Sequence, residues 1–178
     1  MLRSAKAATA ITAVVLLAAT LSACGGSSGS SAPPPLNVEQ QAHASWTAIG
    51  TAFASSTDAR CERELDAAVR DASCKAHWDA DGATLAKESG VWNTALINKR
   101  VPAKDFDLAH AFKDDLLEFA HLFDDLSISA TYADAASYYS AAAELRKGLG
   151  TLNDLKNQAL ADGIDLSGQA PSVGGSTQ

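Results

Sequence analysis

Four side chains in this sequence stand at spacings that suit a metal ion. His110, Asp114, Glu118 and His121 follow one another by four, four and three residues, so on one helix they share a face. Imidazole and carboxylate together suit a divalent ion such as Zn²⁺ or Cu²⁺. Glu118-x-x-His121 is also half of the ligand set of a di-iron bundle site, which needs a second such motif and two further Glu on facing helices. Only one E-x-x-H occurs. Leu108, Phe112, Leu116, Phe119 and Phe123 claim the opposite face of the same helix, and a packed helix has one inward face. The four residues therefore remain surface candidates, and a solvated acidic face is the preferred reading. His77 and Asp81, one turn apart, make a second pair without a third ligand.

Trp46, Trp78 and Trp92 are candidates for a ligand pocket. Large aromatic side chains at helical spacing more often fill a core, and core is the expectation for all three. Tyr138 reads as core as well, whereas Tyr132 and Tyr139 flank the apolar stripe and could face a partner. Nucleophilic chemistry finds no support. Gly25, Ser27 and Gly29 fit G-x-S-x-G, but they lie in a Gly/Ser run, and a nucleophile elbow needs a strand before it and a helix after it. There is no phosphate loop, C-x-x-C or H-E-x-x-H. Neither an enzyme nor a cofactor is expected.

Four amphipathic helices are predicted between about Val38 and Ala161. The first starts after Asn37, a good N-cap, and turns Val38, Ala42, Trp46, Ile49 and Phe53 to one side. A later one carries Trp78, Leu85, Trp92 and Leu96, with the small Gly82 and Ser89 between them, and ends near Arg100 because Val101-Pro102 disfavours helix. The third begins near Asp105. The fourth is predicted to start near Ser127 or Ser129, with the stripe Ile128, Ala135, Tyr138, Ala142, Leu145, Leu149 and Leu152. Gly148 and Gly150 are expected to weaken or bend it, and Gly163 to cap it. The fold class is all-α, an antiparallel four-helix bundle over residues 37–163, with a disordered tail over 164–178.

Cys61 and Cys74 lie between the first two long helices, with Leu65, Ala68 and Val69 in helical spacing between them. In an oxidising compartment a disulfide is the default. Thirteen residues of straight helix would hold them about 20 Å apart, whereas a bridge needs Cα atoms within about 7 Å. A bridged pair thus requires the chain to reverse, giving a disulfide-closed helical connection. Two free thiols on one continuous helix is the other reading.

The oxidising compartment is inferred from the start of the chain. Arg3 and Lys6 precede an apolar stretch, Ala7 to Leu21, too short to span a membrane comfortably, and small residues follow. This is the form of a signal peptide, residues 1–23. Leu21-Ser22-Ala23-Cys24 resembles the lipobox of bacterial lipoproteins. That resemblance covers the first 24 residues only. It implies that Cys24 becomes the N-terminus, carries a diacylglycerol, and anchors the chain on the outer side of the cytoplasmic membrane. There is no twin Arg, so the general secretion route is expected. Residues 24–36 read as a lipidated Cys and a Gly/Ser linker stiffened by Pro33, Pro34 and Pro35.

The net charge is −7, and removing Arg3 and Lys6 with the leader leaves 12 basic against 21 acidic residues, or −9. Phosphate and anionic headgroups repel such a surface, which argues against nucleic-acid binding and against electrostatic docking on a membrane. The expected function is that of a non-catalytic, lipid-anchored helical bundle of the cell envelope that binds another envelope component. The alternative is a small-ligand or metal-ion carrier using the Trp interior or the His/acid face.

Overall fold

The structure, a computed structural model, describes residues 33–56 and 72–167. The expected signal peptide with Cys24, residues 25–32 of the expected linker, Cys61 and residues 168–178 lie outside the described residues. The described part is all-helical, with no strand, and it belongs to one compact unit that starts at Pro33. It contains α1 (Val38–Ser56), α2 (Ala72–Ile97), a short 3₁₀ turn (Ala103–Asp105), α3 (Phe106–Thr131) and α4 (Ala135–Ala161).

α1 begins where Asn37 predicts, because its side-chain oxygen accepts from the Gln40 amide at 3.1 Å. The buried positions of α2 run Cys74, Trp78, Gly82, Leu85, Ser89 and Trp92. Their steps, all of four or three residues, make a seam that keeps facing one neighbour. That neighbour is α3, and small residues set the distance. A Cβ on Gly82 would lie 3.2 Å from the carbonyl oxygen of Ala120. Ser89 Oγ donates to the carbonyl of Lys113 at 2.8 Å. The pairs Gly82/Ala120 and Ser89/Lys113 run in opposite directions, so α2 and α3 are antiparallel. Leu108, Phe112, Leu116, Phe119 and Phe123 are all buried, as their spacing predicts. Phe53 of α1 meets Phe119 edge-on at 5.1 Å and Phe123 at 6.0 Å, which closes the core from α1.

The fourth helix differs from its prediction. Ser127 and Ser129 are not caps but buried residues inside α3, which continues to Thr131. The cap is Asp134, whose carboxylate accepts from the Ser137 amide at 3.2 Å and the Ser137 hydroxyl at 2.7 Å. Ile128 is therefore a half-exposed residue of α3, and the α4 stripe is Tyr138, Ala141, Leu145, Gly148, Leu152 and Leu155. Ala135 is exposed, while Ala142 and Leu149 sit at the edge of the core. Gly148 does not act as a weak point. It is buried against Phe119, whose ring occupies the space a side chain would need.

Both boundaries of the domain move outward. The Arg100 Nε donates to the carbonyl of Pro34, and the Leu36 amide donates to the carbonyl of Arg100, each at 2.8 Å. Residues 33–36 are thus fastened to the domain rather than part of a free linker. At the other boundary Gly163 caps α4 with φ +83°, and the chain then turns back to bury Ile164 and Leu166. Residues 164–167 are ordered against the core, contrary to a disordered tail from 164, because two large apolar side chains there find cover.

Cys74 is fully buried on the Trp78 side of α2. No second cysteine occurs among the described residues, so no pair at bonding distance is seen there.

Candidate functional site

The His/acid face of α3 does not gather into a centre. His110 lies against the ring of Phe106, with centroids 4.7 Å apart. Asp114 pairs with Lys113 at 2.7 Å, and Glu118 and His121 are exposed. His77 is exposed on α2, and Asp81 is half-buried. Among the described residues no group of three or more His, Cys, Asp or Glu stands close enough to hold a metal ion.

The three tryptophans are buried, but they do not share a pocket. Trp78 and Trp92 are 14 residues apart on one helix, or about 21 Å. Trp92 stacks on Phe112, with centroids 5.2 Å apart and planes 9° apart, and its Nε1 donates to Ser45 Oγ at 2.9 Å. Ser45 belongs to a polar patch between α1 and α2 in which Gln41 Nε2 donates to Glu88 at 2.7 Å. Trp78 meets Tyr138 at 5.8 Å. The Trp46 indole N–H is buried with no acceptor. A phenylalanine there would lose no hydrogen bond.

The concave surface lies elsewhere. A groove of about 370 Å³ runs along the seam between the last turns of α3 and the first turns of α4. Leu122, Asp125, Ile128 and Tyr132 form one wall, at helical spacing on α3, and Ser137 and Glu144 stand on the α4 side. Tyr132 is 78% exposed and Ile128 is 47% exposed. Asp125, Asp134 and Glu144 line the groove, and among the described residues no Lys, Arg or His does. A second groove, of about 330 Å³ between α2 and α3, is lined by Trp78, Ala86, Leu117 and His121. Tyr139, also exposed, packs edge-on against Tyr138 and does not line the α3/α4 groove.

No family model, curated protein or solved structure matches this chain.

Sequence reasoning had marked Tyr132 as partner-facing but placed Ile128 in the core. The signal that separates them is Asp134-x-x-Ser137, a cap that moves the start of α4 past Tyr132.

Another group passed unnoticed in the sequence. Asp115 sits half-buried on α3, and its carboxyl is pushed up to about 6, first by burial and then by the charges of Glu118, Asp114 and Asp154. The folded chain holds this proton more tightly than the unfolded chain does. The group's contribution to stability is therefore present near pH 4, is lost as pH rises through about 6, and leaves a penalty at neutral pH. Water reaches this side chain, which limits the penalty to on the order of 1 kcal/mol. Asp115→Asn is expected to raise the urea midpoint at neutral pH, with the difference from the parent closing towards pH 4. A difference independent of pH would show that the carboxyl titrates normally.

Proposed function

We propose that this protein is a lipid-anchored lipoprotein of the cell envelope, and that it serves as a non-catalytic docking module rather than an enzyme. In this reading the described helices form an antiparallel four-helix bundle, closed by a Cys61–Cys74 disulfide and carried on Cys24. The observation that carries the docking role is the groove at the α3/α4 turn, where Ile128 and Tyr132 stay exposed beside a concave seam. Apolar side chains left open around a concavity mark interaction sites more often than bare surface does.

The anchor rests on Leu21-Ser22-Ala23-Cys24 and on the apolar segment before it. No helix among the described residues is long and apolar enough to cross a membrane. With residues 33–36 fastened to the domain, the eight residues from 25 to 32 that separate it from Cys24 could reach at most about 28 Å at full extension. The bridge rests on the burial of Cys74 and on the oxidising compartment that the leader implies. One measurement tests both. Intact-mass and non-reducing peptide spectra of protein from its native membrane should show a diacylglycerol on Cys24 and a Cys61–Cys74 cross-linked peptide. An unmodified Cys24 removes the anchor, and two alkylated thiols remove the bridge.

The carrier alternative draws less support, because the Trp side chains are packed against other rings and the His/acid residues stand apart along α3. Docking is tested by photo-crosslinking in the native envelope. A benzoylphenylalanine at position 128 or 132 is expected to give one discrete protein adduct. The same group in place of Thr84, exposed on α2, should give none. Failure to form an adduct at either groove position would remove the docking reading.

A further inference from the structure

We propose that the α3/α4 groove takes a basic segment of its partner protein, one in which arginine or lysine alternates with apolar residues. This rests on the docking reading above and adds the chemistry of the partner.

The charge in the groove is one-sided. Asp125, Asp134 and Glu144 line it without a basic residue among the lining side chains. Asp125 makes no hydrogen bond or ion pair among the described residues. Asp134 is held in place as the cap of α4, and the hydrogen bonds from Ser137 keep it ionised by lowering its pKa. Glu144 has one counter-ion, the exposed Lys147, on the following turn. A neutral or acidic segment settling here would strip water from these carboxylates and return nothing. A basic segment would pair with them.

The apolar part of the groove selects further. Along one wall the acidic Asp125 stands between the apolar Leu122 and Ile128, and Tyr132 follows one turn after Ile128, just past the end of α3. Such a wall fits a segment that alternates in the same way. The open face of the Tyr132 ring suits a guanidinium, which can stack on an aromatic and still donate to a carboxylate. This favours arginine over lysine.

The groove is also placed to be reached. Leu36 is bonded to Arg100, beside the start of α3, whereas Tyr132 follows the end of that helix. The 26 residues of α3 put about 39 Å between the two. The groove therefore opens at the end of the domain remote from Leu36.

The test uses the full chain in a neutral detergent and three short fluorescein-labelled peptides, measured by anisotropy. One alternates Arg with Leu, the second replaces Arg by Glu, and the third replaces Leu by Ser. The Arg/Leu peptide is expected to bind, the Glu/Leu peptide not to bind, and the Arg/Ser peptide to bind at least tenfold more weakly. Asp125→Asn with Glu144→Gln, and separately Tyr132→Ala, should each weaken the Arg/Leu peptide at least tenfold. All three side chains are exposed, so these variants keep the fold. Glu39→Gln with Asp107→Asn, which removes two exposed charges near the other end, should leave binding unchanged. Equal weakening by that control pair would reduce the effect to general charge and overturn the proposal, as would indifference to the groove variants or no binding at all. The crosslinking result separates the two readings. An adduct at position 128 or 132 together with a failed peptide test leaves the docking site standing and removes its basic partner. Absence of any adduct removes both.

Discussion

Trp92→Ala is expected to lower the stability of the domain by about 3–5 kcal/mol. The indole is fully buried, lies flat on Phe112, and bonds through Nε1 to a fully buried Ser45. Truncation removes one of the two buried indoles of α2 and opens a cavity where three helices meet. It also takes away the donor that fills the Ser45 hydroxyl. A domain of this size has about 5–15 kcal/mol in total, so the change consumes a large share of it. Thermal unfolding should fall by roughly 10–20 °C. Trp92→Phe is expected to cost less, because it keeps a ring on Phe112 and loses the hydrogen bond, about 1–2 kcal/mol, together with part of the indole's volume. A Trp92→Ala protein within about 1 kcal/mol of the parent in urea unfolding would mean that the α1/α2/α3 junction is not packed as described.

The second large effect has opposite signs at two glycines of the same helix. Gly150→Ala should raise stability by about 0.5–1 kcal/mol, since alanine restricts the unfolded chain and nothing lies within 4 Å of the new Cβ. Gly148→Val should lower stability by about 2–3 kcal/mol. Its side chain would enter the space of the Phe119 ring, and that ring cannot swing away because Phe53 braces it edge-on. Phe119→Leu combined with Gly148→Val should recover part of the loss beyond additivity, since the two residues touch. If both glycine variants proved stabilising in urea, α4 would not approach α3 at Gly148.

These two residues also show how far the sequence can be read. The α3 core face was legible because five large apolar side chains recur at helical spacing with charges opposite. Asn37 and Gly163 were legible as caps because their side chains, or the lack of one, suit the geometry. Gly148 was misread because a glycine inside a helix looks like a propensity defect, and the ring that fills its notch comes from another helix. Val101-Pro102 marked the end of α2 only to within three residues, near Arg100 rather than at Ile97, and nothing marked the end of α3 at Thr131. Lys99 and Ala133 adopt positive φ, 52° and 54°, where glycine is the usual residue. In each case the next amide, Arg100 or Asp134, donates back to the carbonyl five residues earlier, at 2.8 and 2.9 Å. Hydrogen bonding, not residue type, sets those turns. The misplaced start of α4 follows from this. With Ala133 silent, Ser127 and Ser129 looked like the first caps available, and Ile128 was drawn into the core. The groove was therefore only half visible, through Tyr132. Asp115 was invisible because its raised pKa comes first from burial, which only the packing of helices sets.

The place where the described chain begins and ends has a practical consequence. Leu36 and Asn37 line the same small depression as Gly163 and Ile164, so the two ends of the domain are neighbours. Neighbouring ends let a domain be inserted into a loop of a host protein or be circularly permuted without stretching a linker. The turn at Ala133 lies at the opposite end, where three exposed residues, Tyr132 to Asp134, join α3 to α4. A reporter fused after residue 167 leaves that turn unobstructed, whereas opening the chain at Ala133 and joining its old ends would cut the α3/α4 turn while keeping every helix and the packing between them.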